Sequence, residues 1–419
     1  MSTAPVFQII AGTQSYDWGK LGLASKVAQF ARLSIPDFKL EQDKPYAELW
    51  MGTHPSLPSK LTTGELLSAH LKAHPGLLGE RVVKHFGADL PFLFKVLAIG
   101  KALSIQAHPD KELAKKLHEE RPDIYKDANH KPEMALAITL FRGFCGFLPL
   151  PVISFYLSRV PEFSALVSHE TIANFHTVVS DSLSVSSELK SALEDVFAAV
   201  MTASEDLVRE KISALVKRYE SGEGLDEEEE KLKELVLELN RQFPGDIGIF
   251  CVFLLNVVDL EPGQAIFLKA DEPHAYISGD IMECMATSDN VVRAGLTPKL
   301  RDVPTLVSML TYNHGPADSQ IMPPAPFRST KHTTLYDPPI EEFSVLLTTL
   351  ANGEDEVHEA INGPSIFLVT QGKGKITWSG QEEVLSEGLV FFVGAGTEVK
   401  FKSGDDAGLV LYRAFVEAP

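Results

Sequence analysis

Thiols are scarce in this chain. Its 419 residues include only Cys145, Cys251 and Cys284, an odd number, widely spaced and without a CxxC pair. That pattern excludes a disulfide framework and a thiolate zinc site, and it suits a reducing compartment. Long apolar runs are missing too. The longest, such as 249–258, reach about half of the ~20 residues that a membrane-spanning helix needs. The opening segment, Met1 to Ile10, lacks the basic and apolar regions of a secretory leader. Positive charge is in deficit: 38 Lys and Arg stand against 57 Asp and Glu, a net charge of −19. Such a field repels polyanions and argues against nucleic acid or an anionic membrane as partner, while an anionic small molecule would need a local basic pocket. No GxxxxGK[ST] loop, no GxGxxG running from strand to helix and no GxSxG elbow is present. The expectation is a soluble, cytosolic protein.

What is present is ordinary globular material, 44% hydrophobic and 23% charged, long enough for two to four domains with cores of their own. Residues 1–150 carry short apolar runs broken by Gly and Pro, such as Pro91 to Ile99, and read as strands. A helix is expected after Asp110, a cap candidate, with Leu113 and Leu117 on one face. From 151 to 256 the period becomes helical. Leu189, Leu193, Val196, Phe197 and Val200 share a face. Val208, Ile212, Leu215, Val216 and Tyr219 share another after Ser204, and Leu232, Leu235, Val236 and Leu239 a third. The acidic run Asp226 to Glu230 fits the first turn of that last helix, where the macrodipole favours negative charge. Strands return near 259, and Met322 to Phe327 reads as a Pro-rich linker. After it come many short strands punctuated by glycine, with Gly372-Lys-Gly374 read as a turn. The fold class expected is mainly β with a helical insertion: 1–150 with 257–321 as one β unit, 151–256 helical, and 322–419 a second β unit.

Chemistry concentrates in three segments. In Leu103-Ser-Ile-Gln-Ala-His-Pro-Asp110 strand alternation puts Ser104, Gln106 and His108 on one face and Leu103, Ile105 and Ala107 on the other. Taken alone, that is also the pattern of a half-exposed strand with its polar side in water. Asn129-His-Lys-Pro-Glu133 places Lys131 and Glu133 on one side of an extended stretch, because Pro132 drives Lys131 out of the helical region. Pro273-His-Ala-Tyr276 adds His274 and Tyr276. Two imidazoles and a carboxylate from His108, His274 and Glu133, with Gln106 as a neutral oxygen, suit zinc or iron. The histidines outside these three segments, His54 and His358 among them, sit in polar, loop-like or helix-surface contexts and receive no role.

These pieces, with Tyr16-Asp-Trp-Gly-Lys20, Pro45 to Pro55, Pro91 to Leu97 and Asp289-Asn-Val-Val-Arg-Ala-Gly-Leu-Thr-Pro-Lys299, occur in an order that resembles type I mannose-6-phosphate isomerases. The resemblance implies a cupin-type fold of two jelly rolls and a helical domain. It carries the family's zinc ligands onto Gln106, His108, Glu133 and His274, one zinc per chain. It implies exchange of mannose 6-phosphate and fructose 6-phosphate through an enediol, feeding mannose into GDP-mannose and glycan synthesis. Developing negative charge on oxygen would be stabilised by the metal. The base is left open among Glu283, His130 and Lys131. Arg293 would bind phosphate or the enediolate, and Lys299 and Lys95 would add positive charge. Trp18, Ser104, Tyr276 and Asp289 complete the expected substrate contacts. The second jelly roll has no His/Glu cluster in its sequence and is expected to bind no metal. The partner implied is a small sugar phosphate, with a monomeric protein. Two other classes share parts of the pattern: a two-His, one-Glu iron dioxygenase, and a non-catalytic sugar-phosphate sensor.

Overall fold

The computed structural model describes residues 4–222 and 224–418. It is mainly β with a helical insertion: among the described residues, two sheets of eleven strands each, paired antiparallel, a two-stranded ribbon of Lys20–Leu21 with Pro45–Tyr46, and a run of helices between residues 150 and 242. Among the described residues no helix is long and apolar enough to cross a membrane.

The first sheet is organised by its longest strand, His274–Ala286. It pairs with Phe92–Ile99 on one side and Glu133–Ala137 on the other, while its beginning pairs with Ile105–Ala107 and Phe141–Phe147. Strand Phe92–Ile99 is buried on both faces. Phe94, Val96 and Ala98 enter a core shared with the second sheet, and Leu97 and Ile99 enter the interior of the first. Lys95 has the parity of Leu97 and so projects to that interior.

The helical insertion forms as its apolar periodicity predicts. Helix Ser186–Thr202 buries Leu193, Val196, Phe197 and Val200, helix Glu205–Ser221 buries Val208, Ile212, Leu215 and Tyr219, and helix Glu227–Gln242 buries Leu235, Val236 and Leu239. Ser204 and Asp226 cap the last two through their side chains, and Asp110 does the same for Lys111–Glu120. One member of the acidic run departs from a surface role. Glu229 is buried against Arg218 (2.7 Å), which also grips Glu162 at 2.9 Å. The insertion's core continues onto Ile105, Ala107, Val292 and Ala294, so the back of strands Ile105–Ala107 and Val292–Gly295 is sealed by helices and their front is left for the site.

The second sheet differs from the expected boundaries in three places. Strand Val6–Ile10 pairs with Val390–Val393 on one side and with Lys60–Leu61 on the other, so these pieces of 1–150 lie in the C-terminal sheet. The Pro-rich stretch is not an unpaired linker: Ile321–Met322 pairs with Ala265 and Ile266, and Ala325–Pro326 with Thr334 and Leu335, one in each sheet. Residues 365–378 are one strand, and Gly372-Lys-Gly374 lies within it beside a register shift rather than in a turn. Gly372 has φ +84°, and a Cβ there would lie 1.7 Å from the Gly408 carbonyl oxygen; only glycine permits that approach. The sheets share a core of Phe30, Val96, Met282, Val345, Leu368 and Val390, and Tyr412 Oη donates to the Ala137 carbonyl at 3.2 Å.

Candidate active site

Strand alternation brings two imidazoles together against Glu133, beneath a cleft that Glu133 lines. His108 Nδ1 donates to the Asn290 carbonyl at 2.6 Å, and His274 Nδ1 donates to the Glu272 carbonyl at 3.2 Å. A carbonyl only accepts, so the ring protons sit on Nδ1 and each Nε2 keeps its lone pair. The two Nε2 atoms lie 3.4 and 3.5 Å from the two oxygens of Glu133. Both are buried and neither makes a hydrogen bond. Buried polar atoms without partners are rare, and converging lone pairs beside a carboxylate are what a divalent metal satisfies. The ligand atoms of His108, Glu133 and His274 all lie within 4.8 Å of one another.

The electrostatics agree. Burial pushes the His108 imidazole down to about 4, which keeps it neutral. Burial alone would raise the Glu133 carboxyl, but the Lys131 ammonium at 2.9 Å holds it well below the carboxylate range. Asn290, the carbonyl partner of His108, is itself anchored through Nδ2 to the carbonyls of Asp127 (2.7 Å) and Asn129 (2.9 Å). Such an outer shell fixes ring orientation.

Above this floor lies a cleft of about 750 Å³. Gln106 lines it, with Ser104 Oγ donating to its Oε1 at 3.3 Å. Lys131, Tyr276 and Glu283 line it as well, as do Trp18, Lys95, Asp289, Arg293 and Lys299. Tyr276 Oη donates to Glu133 at 3.4 Å, and burial holds its hydroxyl well above the ordinary value, so it keeps its proton. Lys95 stands in the ladder between Trp50 and Glu283. Its ammonium is 2.8 Å from the Glu283 carboxylate and 5.2 Å from the Trp50 ring centroid. Burial would lower it, but Glu283 and Glu48 keep it above its ordinary value. Burial and Glu133 raise the Glu283 carboxyl, with Lys95 opposing. Arg293 and Lys299 differ from the other cations: among the described residues neither has an ion-pair partner, and both face the cleft.

His130 does not join them. Its Nε2 is 2.6 Å from Glu342, a carboxylate of the C-terminal part that also holds Lys111 at 3.0 Å, and it does not line the cleft. Its neighbour Lys131 faces inward because the chain is extended there.

Several cleft residues carried no signal in the sequence. His54, in a Gly-Thr-His-Pro loop without periodicity, is buried and lines the wall; its Nδ1 accepts from the Ser56 N–H (3.3 Å), and its Nε2 is 3.8 Å from Asp289. Gln242, Phe243, Pro244 and Asp246 come from the end of the helical insertion, and Lys101 lies 4.5 Å from the Phe243 ring centroid. In the second sheet, His358 and Glu356 are buried together beside Thr333, with Arg413 reaching His358 Nδ1 at 3.1 Å. That grouping needs strand register to be seen.

Comparison with known proteins accords with this arrangement. Three family models match in sequence order: the type I phosphomannose isomerase catalytic domain over 6–150, its helical insertion domain over 166–255 and its C-terminal part over 334–381. The mannose-6-phosphate isomerase of Cryptococcus neoformans is 52% identical over 432 residues, covering 99% of each chain. That of Saccharomyces cerevisiae is 49% identical over 428 residues, covering 98% of this chain and 99% of the other. The mannose 6-phosphate isomerase of Salmonella typhimurium, solved with its substrate fructose 6-phosphate and a zinc atom bound, superposes with a TM-score of 0.82 at 29% identity, covering 99% of this chain and 100% of that one. The chain belongs to the type I phosphomannose isomerase family.

Proposed function

We propose that this chain interconverts mannose 6-phosphate and fructose 6-phosphate with one zinc ion held by Gln106, His108, Glu133 and His274. The observation that carries the reading is a two-His, one-Glu floor with bare Nε2 atoms, whose Glu133 lines the same cleft as Arg293 and Lys299, two cations without an ion-pair partner among the described residues. In a chain of net charge −19, such local positive charge fits an anionic substrate. Bound zinc supplies Lewis-acid stabilisation of charge developing on a substrate oxygen.

The residues then divide the work. Aldose–ketose exchange removes a proton from one of C1 and C2, forms an enediol, and returns a proton to the other carbon while a hydroxyl proton moves between O1 and O2. Glu283 is assigned the carbon-bound proton, because a buried carboxyl raised above its ordinary value is a better base than a solvated one. Lys131, ion-paired with Glu133, supports negative charge on the enediolate. Arg293, ladder neighbour of Gln106, stands beside the reacting oxygens, and Lys299 and Ser104 receive the phosphate. Trp18, stacked on Tyr16 at 5.7 Å between centroids, offers an aromatic face to the sugar. Tyr276 and Asp289 hydrogen-bond its hydroxyls. The reading extends to a cytosolic monomer, consistent with three free buried cysteines, that feeds mannose into GDP-mannose and glycan synthesis.

A coupled assay of purified protein with mannose 6-phosphate tests it. Fructose 6-phosphate should form with zinc and stop with a chelator; none at any zinc content overturns the reading.

A further inference from the structure

The end of the helical insertion grips the cleft at two points. Gln242, closing helix Glu227–Gln242, accepts the Ala102 N–H at 2.8 Å, two residues before Ser104. Asp246 follows. Its single carboxylate accepts three backbone N–H groups: Gly248 at 2.7 Å, Leu296 at 2.6 Å and Thr297 at 3.1 Å. The first bond is an ordinary cap of the turn Ile247–Phe253. The other two are not, because Leu296 and Thr297 belong to the loop that joins Arg293 to Lys299.

That loop needs holding. Leu296 has φ +52°, the left-handed region that costs a branched residue about 1–2 kcal/mol. Beside it the two backbones touch without side chains between them. A Cβ on Gly295 would lie 2.6 Å from Gly248 Cα, and one on Gly248 would lie 2.6 Å from the Leu296 nitrogen. The carboxylate thus bonds the strained residue and its successor at the place of closest approach. Charge-assisted bonds of this kind are about twice as strong as neutral ones, enough to offset the backbone strain.

We propose that Asp246 is a positioning residue. From the helical insertion it latches the 295–297 turn, so that Arg293 on one side and Lys299 on the other present their charges to the cleft together. The insertion would then take part in anion capture. This rests on the reading that those two cations receive the substrate's negative charge.

The test uses full-length, zinc-loaded Asp246→Ala and Asp246→Asn, with Lys299→Ala and Arg293→Ala alongside. Inorganic phosphate is the probe, titrated as an inhibitor and by direct calorimetry. Asp246→Ala should keep its zinc, weaken phosphate binding at least about tenfold and raise KM for mannose 6-phosphate more than it lowers kcat. Asp246→Asn, which keeps one accepting oxygen but turns an amide toward Thr297 or Leu296, should fall between. If Asp246→Ala fails to fold, the Asn variant decides. Unchanged phosphate binding and KM in the Asp246 variants, or a fall in thermal midpoint alone, overturns the latch while Lys299→Ala still loses phosphate. If Lys299→Ala also binds phosphate normally and Arg293→Ala keeps normal turnover, the underlying reading of the cations fails and the latch fails with it.

Discussion

Gln106 and Arg293 stand directly opposite each other on paired antiparallel strands, and His274 stands opposite Gln106 on its other side. One rung therefore runs from an imidazole with a bare nitrogen, through a neutral amide, to a guanidinium free of any carboxylate among the described residues. Directly opposed residues share a face of the sheet, which puts positive charge beside the metal set without making it a ligand. Arg293→Ala should accordingly retain a full complement of zinc by metal analysis and lose turnover by about 100-fold or more. Near-normal kinetics would remove Arg293 from the reaction.

His274→Ala and Glu133→Ala should behave differently, losing zinc and activity together. Zinc binds the folded state and raises its stability by RT ln(1 + [L]/Kd), about 2.7 kcal/mol at a hundredfold excess over Kd. Titrated zinc should raise the thermal midpoint of the unaltered protein and leave that of either variant in place. A variant that still gains stability from zinc would show that its missing side chain is not a ligand.

Glu342 should make the fold sensitive to acid. Burial would raise its carboxyl, but hydrogen bonds and charge from His130 and Lys111 push it down to about 2 against an ordinary value of 4.5. A depressed carboxyl stabilises the fold above its unfolded value, and that contribution is lost as pH falls from about 4.5 toward 2. Glu342→Gln should cost roughly 1–3 kcal/mol at neutral pH. The gap between variant and parent in thermal melts should narrow across that acid window, and a constant gap would contradict the assignment.

Arg218→Met probes the insertion alone. It would leave Glu162 and Glu229 without the guanidinium that both grip. Removing one partner of a buried ionic cluster costs a few kcal/mol, here about 2–4 because Arg218 is partly exposed. Chemical denaturation should register the loss while KM for mannose 6-phosphate stays put, since Arg218 does not line the cleft. A shift in KM of Asp246→Ala but not of Arg218→Met would separate latch from scaffold.

Local pattern in the sequence reached the metal floor because alternation is a local rule. Ile105 and Ala107 face the helical core and Gln106 the cleft, as the strand spacing of Leu103 to Asp110 implies. The convergence of Glu133 and His274 on His108 was carried by resemblance, since no spacing rule joins residues so far apart. The helices from Ser186 to Gln242 were readable from their apolar stripes and caps. The earlier helix Leu150–Arg159 fell within the stretch read as helical, but its buried face was not assigned, the helix being apolar over most of its surface. What stayed hidden depends on register and tertiary contact: Glu229 turning inward, His130 turning to Glu342, the Lys95–Glu283 rung and the grip of Asp246. The two sheets were legible as β material, but their exchange of strands was not.

That exchange bears on how the chain acquires its structure. Val6 is paired with Val393, so an early strand, flanked on one side by Lys60–Leu61, must wait for almost the entire polypeptide to leave the ribosome before its other neighbour exists. Contacts so distant along the chain close slowly and leave strand edges open in the meantime. A nascent chain of this kind would be a natural client for chaperones, and trimming its C-terminal sheet would strand the beginning of the protein as surely as the end.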